Sequence, residues 1–591
     1  MPRLALAQFR PTKGRYAENL SRLGALLGEM GRWPEPPDVV LFPEAALTGY
    51  FLEGGVQELA LPAERLFQDL AAQHTASGAP PLAVAVGFYE VHNNRLYNSA
   101  MYAELGGADA GIRHVHRKVF LPTYGVFDEE RFVEAGRTVQ AFDTRWGRAA
   151  MLVCEDAWHS LTGTLAALDG AQLILVGSAT PGRGLEPAAN GDGGRPTNLA
   201  RWERLAQGIA EEHGVYVAVS QLVGFEGGKG FVGGSVLMDP RGHLVAQGPV
   251  FEPAVIAATL DLEEVTRARA EAPLLADLEA RLPYLLAQGR GDAGTQSKPR
   301  AREARAGIGR TGPAPLRPSA STPLAIDPEL TRKWLVEFLR DEVQRRRGFE
   351  HAVLGLSGGV DSAVVAYLAA EAFGPQNVTA VRMPYRTSSP DSLAHAQLVI
   401  DRLGLRARTV DISAAVDGML AAVGETTPAR KGNVMARARM IALFDLSVPL
   451  AALPLGTGNK SERLLGYFTW HADDSPPVNP IGDLFKTQVW ELARHLGVPE
   501  EIVAKPASAD LIQGQTDEAD FGISYARADH ILHWLLSGYR PEAIEGLGYT
   551  AQEIALVRGR LEGTHWKRRL PTVAMVSRTA IGEYYLRPVD Y

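Results

Sequence analysis

At 591 residues and 63.7 kDa the chain exceeds what one hydrophobic core sustains, so about two to four domains are expected. Its 46% hydrophobic and 22% charged residues exclude wholesale disorder, and the balance of 60 Lys and Arg against 68 Asp and Glu, a net charge of -8, excludes a global electrostatic footprint for nucleic acid or an anionic membrane. The single cysteine, Cys154, excludes an intrachain disulfide and any cysteine-cluster metal site. The N-terminal apolar stretch is too short for a signal-peptide core and no run of about 18 apolar residues occurs, so a cytoplasmic protein with no nucleic-acid or membrane partner is expected.

In chain order, β-branched or Ala/Leu runs alternate with helical stretches: LALAQF, DVVLFPE, LAVAVGFYE, AAMLVCED, LILVGSAT, VYVAVSQL and GSVLMDP. That alternation predicts a layered α/β domain over residues 1–287. Two of these runs carry chemistry at their ends. DVVLF leads into Pro43-Glu44 and AAMLV into Cys154-Glu155-Asp156, which puts a carboxylate and a thiol at carboxyl ends of strands, where layered α/β folds place reacting groups. Between them, HVHRKVFLPTYGVFDEERF presents Lys118 ahead of a Pro-containing loop. A lone cysteine closing an apolar run is more often a small buried hydrophobe. The other reading is chemical: a desolvated carboxylate takes the thiol proton, and a fixed ammonium stabilises thiolate and oxyanion, so that Glu44, Lys118 and Cys154 suffice for amide hydrolysis.

LFPEAALTGY, RKVFLPTYGVFDE and LVCEDAW resemble the three signature segments of the nitrilase-type carbon-nitrogen hydrolases, in that family's order. The resemblance implies an αββα sandwich in which Glu44 is the general base, Lys118 the oxyanion and orienting lysine, and Cys154 the nucleophile that forms a thioester. It further implies that Glu129 supports the lysine and that Tyr124 contacts glutamine. VGSATPGRG follows the glutamine-pocket pattern only in part. Ser178, Thr180 and Arg183 are thus glutamine contacts by the resemblance and ordinary turn residues by local chemistry.

Residues 288–324 are rich in Gly, Pro, Ser and Arg with almost no large apolar side chain, which predicts a flexible linker without chemistry of its own. The second domain, 325–591, opens on Asp327-Pro328, a helix N-cap followed by Pro at the first helical position, with Leu335, Phe338, Leu339 and Val343 on one expected apolar face. HAVLGL, VTAVRMP and ALPLGTG read as buried parallel strands separated by helices, hence a doubly wound sheet. Between the first of these strands and its helix lies Ser357-Gly358-Gly359-Val360-Asp361-Ser362. There, backbone amides and a helix N-terminus cradle anions, the glycines admit a close ligand, the serines donate, and Asp361 can hold a Mg²⁺ that bridges phosphates. No Walker lysine follows, which argues against simple γ-phosphoryl transfer and for a loop that holds pyrophosphate.

SGGVDS resembles the signature of the N-type ATP pyrophosphatases. The text downstream resembles that of the NAD synthetases within that group: MPYRTSS, KGNVMARARM, GTGNKSERLLGYFT, PIGDLFKTQVWELA and KPASADLIQGQTDEADFG appear in family order. By this resemblance Thr457 joins the phosphate loop at ATP, Glu462 joins Asp361 at Mg²⁺ or contacts the dinucleotide, and Asn433, Arg437, Asp473 and Lys567 line the deamido-NAD⁺ site. One stretch departs from the pattern, HADDSPPVNP, with Ala472 and Pro477 where the family usually shows a Gly-Asp loop with a further Asp. Together the two resemblances imply a C–N ligase of the glutamine-dependent NAD⁺ synthetase type, using glutamine, ATP and deamido-NAD⁺ with Mg²⁺, channelling ammonia, and forming homo-oligomers. Another amidotransferase built on the same loop, GMP- or asparagine-synthetase-like, is the nearest alternative. A nucleotide-sensing module without turnover is a more distant one.

Overall fold

The computed structural model describes residues 1–52, 55–187, 195–291, 323–424, 426–508 and 516–569. Chain contacts group them into two compact units, one from the described residues of 1–184 and 196–291, the other from 185–187, 195 and the described residues of 323–569. The expected linker falls outside the described residues between 292 and 322. At its two edges, a helix runs Leu274–Gly291 and Leu324 is buried. No described helix is long and apolar enough to cross a membrane.

Among the described residues, fourteen strands build the first unit: β1 (Arg3–Gln8), β2 (Val39–Leu41), β3 (Leu82–His92), β4 (Arg95–Leu105), β5 (Gly111–Arg117), β6 (Ala141–Thr144), β7 (Gly147–Val153), β8 (Leu173–Ser178), β9 (Tyr216–Gln221), β10 (Val223–Glu226), β11 (Lys229–Val232), β12 (Val236–Met238), β13 (Leu244–Gln247) and β14 (Ala254–Thr259). They form two six-stranded sheets, ordered β14-β1-β2-β3-β4-β5 and β13-β12-β9-β8-β7-β6, and the hairpin β10-β11. Alternation along β1 shows why two layers of helix are needed. Leu4 and Leu6 cluster with Leu152, Ile174 and Val219 of the other sheet, whereas Ala5 and Ala7 cluster with Leu23 and Leu27 of helix Tyr16–Met30 and Leu66 and Leu70 of helix Ala63–Ser77. Helix Thr197–His213 covers the outer face of the second sheet with Trp202, Ala206 and Ala210. The result is the αββα sandwich expected from the resemblance.

The second unit holds a four-stranded parallel sheet of β15 (His351–Gly355), β16 (Val378–Arg382), β17 (Arg406–Thr409) and β18 (Ala452–Leu455) in the order β17-β16-β15-β18. This is the doubly wound arrangement, with order reversing between β15 and β18. Asp327 caps helix Pro328–Leu339, accepting from Leu330 N at 2.9 Å. Of the expected apolar face, Leu339 and Val343 are buried, joined by Val336, and Leu335 and Phe338 are partly covered by the same cluster; a wider turn, Arg340–Arg345, follows the helix.

Candidate active sites

In the first unit three strand ends converge on one buried cluster. Glu44 follows β2, Lys118 follows β5 and Cys154 follows β7. The backbone of Glu44 lies so close to β3 that a Cβ on Gly87 would stand 2.6 Å from the Glu44 Cα. Lys118 Nζ donates to Glu44 Oε1 and to Glu129 Oε2, both at 2.7 Å, with the lysine fully buried. Asn98 on β4 ties the two acids from the other side, its Nδ2 donating to Glu44 Oε1 at 2.8 Å and Glu129 Oε1 at 2.5 Å. The second Glu44 oxygen accepts from Ala179 N at 2.9 Å. Burial alone would favour the neutral amine, but Glu129 and Glu44 outweigh it and hold the Lys118 pKa well above its usual value, so the ammonium is permanent. Burial raises the carboxyl pKa of Glu129, against the pull of Lys118.

Cys154 sits in the left-handed region at φ 44°. A side chain other than Gly is held there at a cost, and such strain gathers at functional positions. Ser178 Oγ donates to its Sγ at 3.4 Å and Thr180 Oγ1 lies 3.8 Å away. Burial, then Glu44, push the thiol up to about 12, against Lys118, Ser178 and Thr180. The resting nucleophile is therefore a thiol, and its proton has to leave as the bond to carbon forms. Tyr124 is at the exposed rim, its hydroxyl donating to Glu155 Oε2 at 2.8 Å. Arg183 lies 6.0 Å from the Phe127 ring centroid and packs on Gly125. Asn98 is the member that sequence reading misses. Its only signal is the polar pair Asn98-Ser99 ahead of the apolar run Ala100-Met101-Tyr102-Ala103 in the same strand.

In the second unit a cavity of about 540 Å³ opens at the carboxyl ends of β15, β16 and β18. Of the residues marked from the sequence for this domain, all but Gly358 and Arg437 line it. The phosphate loop is pre-folded: Ser362 Oγ accepts from Ser357 N at 3.2 Å and donates to Gly359 O at 3.1 Å, and Gly359 N donates to Ser357 Oγ at 3.3 Å. Gly358, at φ 77°, serves packing instead. A Cβ there would lie 2.1 Å from the Ser392 carbonyl oxygen. Arg437 lies on the exposed side of its helix and donates to Trp470 O at 3.1 Å, while Arg439, two residues on, lines the cavity. Lys567 Nζ donates to the carbonyls of Gly466 and Phe468 at 2.9 and 3.0 Å and so ties down the loop that carries Asp473.

Beside the phosphate loop is a second buried lysine that sequence reading does not single out. Lys486 Nζ pairs with Asp361 Oδ2, and Asn459 Nδ2 donates to Asp361 Oδ1 at 3.1 Å. Asn459 also caps the short helix of Glu462, accepting from Glu462 N at 2.9 Å while Glu462 Oε2 accepts from Asn459 N at 3.1 Å. Burial first, and then repulsion from Asp361, raise the Glu462 carboxyl well above the usual range against the pull of Lys486. Asp517, also on the cavity wall, is raised by burial as well. Lys505 adds a further cation on this wall, its Nζ donating to Ser392 Oγ at 2.9 Å.

Comparison with known proteins matches the NAD synthase family over residues 331–571 and the carbon-nitrogen hydrolase family over residues 3–270. An NH(3)-dependent NAD(+) synthetase of Chlorobaculum parvum is 47% identical over 260 residues, which cover 44% of this chain and 94% of that protein. The chain belongs to the NAD synthetase family. One from Trichlorobacter lovleyi is 45% identical over 259 residues, again 44% of this chain and 94% of the relative. In fold the chain is similar to the glutamine-dependent NAD⁺ synthetase from Acinetobacter baumannii, with a TM-score of 0.69 and 22% identity, covering 100% of this chain and 98% of that one. The glutamine-dependent enzyme from Cytophaga hutchinsonii gives the same TM-score, 0.69, at 15% identity, covering 96% and 93%. The architecture is accordingly a nitrilase-like domain joined to an NAD synthetase domain, and the GMP- and asparagine-synthetase-like alternatives are not favoured.

Proposed function

We propose that the chain makes NAD⁺ from deamido-NAD⁺, MgATP and glutamine. The observation that carries this reading is the presence, in one chain, of a buried Glu-Lys-Cys cluster and a lysine-free SGGVDS loop on a nucleotide-sized cavity. In the first unit Cys154 Sγ attacks the glutamine carboxamide carbon while Glu44 takes the thiol proton. Lys118, pinned between two carboxylates, presents a fixed charge to the developing oxyanion, where preorganised donors contribute most. Glu44 returns the proton to the departing ammonia, leaving a thioester, and then activates the water that releases glutamate. Arg183 and Glu155 offer opposite charges for the α-carboxylate and α-ammonium of the substrate, with Tyr124, Ser178 and Thr180 completing the pocket.

In the second unit the amides and hydroxyls from Ser357 to Ser362, with Thr457, hold ATP. Asn433, Asp473 and Lys567, which line the cavity, hold deamido-NAD⁺ so that its nicotinate carboxylate meets the α-phosphorus, whereas Arg437, expected there from the sequence, faces away from it. Pyrophosphate leaves, and ammonia displaces AMP from the acyl adenylate to form the carboxamide. Asp361 and Glu462 suit Mg²⁺, being hard oxygen donors beside the phosphate loop. No three His, Cys, Asp or Glu side chains among the described residues form a chelating group, which fits an ion that takes one or two carboxylates and completes its shell with phosphate oxygens and water. When bound it neutralises charge on the phosphates. A cytoplasmic homo-oligomer is the form we infer, supported by the unpaired Cys154 and by the exposed apolar side chains Met419, Val423, Ile441 and Val448 on the second unit.

Pyrophosphate release tests the reading. It is expected with deamido-NAD⁺ as acceptor and not with XMP or aspartate; release with either of the latter alone would replace the proposed substrate.

A further inference from the structure

One buried carboxylate binds the backbone beside both Lys118 and Cys154 of the amide-cleaving cluster. Asp156, fully buried, accepts through Oδ1 from Val119 N and Phe120 N, both at 2.9 Å. These are the two residues that follow Lys118. Through Oδ2 it accepts from Val153 N at 3.1 Å, the residue before Cys154, and from His116 Nε2 at 2.8 Å, two residues before Lys118. Burial would disfavour the charged carboxyl, yet its donors, His116 foremost, hold it below the ordinary range.

We propose that Asp156 is a positioning residue that fixes the Lys118 ammonium relative to the Cys154 thiol, by gripping the chain beside each with a single carboxylate. This rests on the amide-hydrolysis reading of the cluster. Three features of the geometry support it. Lys118 is at the end of β5 and Cys154 at the end of β7, on different sheets, so their spacing is not set by any strand pairing between them. Cys154 is held at φ 44°, a conformation that persists only where neighbouring contacts impose it, and Asp156 anchors the turn two residues later. An aspartate is also needed chemically: all four partners are donors, and an amide nitrogen in place of one oxygen would face N–H groups.

The test is the alkylation rate of Cys154, the only cysteine of this 591-residue chain, followed by mass spectrometry with iodoacetamide at a pH of about 8.5, near the ordinary thiol pKa. The groups facing the thiol are Glu44, Lys118, Ser178 and Thr180, with Tyr50, Tyr124 and Glu129 further out. Lys118 is the one cation among these. If Asp156 keeps it near, Asp156→Asn lowers the thiolate fraction and slows alkylation about tenfold, the effect of one pKa unit. The kcat for glutamine falls by at least the same factor, while KM changes far less. A residue that only stabilised the fold would do the opposite, since loosening the site exposes a buried thiol and speeds alkylation. An unchanged or faster rate in Asp156→Asn therefore overturns the proposal. His116→Gln, which disturbs one donor of four, is the second variant should Asp156→Asn not fold. It is expected to slow alkylation by a smaller factor, and no slowing would equally overturn the idea. Failure of the underlying reading looks different: Cys154→Ala would retain glutamine hydrolysis.

Discussion

The ammonium of Lys486 is paired with the carboxylate of Asp361, the acid of the phosphate loop, and both stand on the wall of the nucleotide cavity. With Lys486 only 3% exposed, the pair is a local charge device more than a stabiliser, because bringing two charges out of water offsets most of their attraction. Removing one partner is another matter. Lys486→Met leaves Asp361 uncompensated and is expected to destabilise the second unit by about 3–5 kcal/mol. It should also lower ammonium-supported NAD⁺ formation at least about a hundredfold, the scale seen when a preorganised charged donor is lost. Glutamine hydrolysis should survive. Calorimetry of the variant with both assays checks the prediction, and equal loss of the two activities would contradict it.

The two glycines of the phosphate loop should separate cleanly. Gly358→Ala places a Cβ 2.1 Å from the Ser392 carbonyl at φ 77°, so a fold penalty of about 1–3 kcal/mol is expected, with a lower Tm. At Gly359 the nearest atom to an added Cβ is Ser357 Oγ at 3.4 Å, and its backbone is extended. Gly359→Ala should keep the wild-type Tm and raise the KM for ATP, because the methyl group enters the space of the ligand.

The pH behaviour of the thiol follows from its surroundings. With Cys154 pushed up to about 12, the thiolate of the free protein is a minor species at neutral pH, and its fraction grows tenfold per pH unit below that value. Iodoacetamide modification should therefore rise steadily from pH 7 to about 10 without a plateau. A plateau beginning below about pH 8 would mean a resting thiolate–lysine ion pair. On the proposed mechanism, activity near neutrality then depends on proton transfer to Glu44 within the substrate complex.

Much of this was legible in the sequence, and the reason is local. Glu44, Cys154 and the SGGVDS loop each end or follow an apolar strand, so residue type and strand position appear together in a few letters. What stayed hidden depends on pairing across the fold. Asn98 reaches Glu44 only because β4 folds back on β3 through Asn93 and Asn94, both at positive φ, and β5, which brings in Lys118, is written as the polar string GIRHVHR. Lys486 stands 125 positions from Asp361. Its burial comes from the helix Lys486–His495 packing its first residue inward, whereas a lysine at the start of an amphipathic helix reads as a solvated cation. Arg437 and Arg439 show the converse limit: two residues apart on one helix, they point to different environments, and only Arg439 lines the cavity.

If ammonia released at Cys154 feeds amidation at the SGGVDS loop, NAD⁺ formation by Cys154→Ala depends on the nitrogen source. With deamido-NAD⁺ and MgATP, the variant should lose the glutamine-supported reaction entirely and keep the ammonium-supported one at the wild-type rate. NAD⁺ formation from glutamine by the variant, or its absence from wild-type protein with either nitrogen source, would contradict the account.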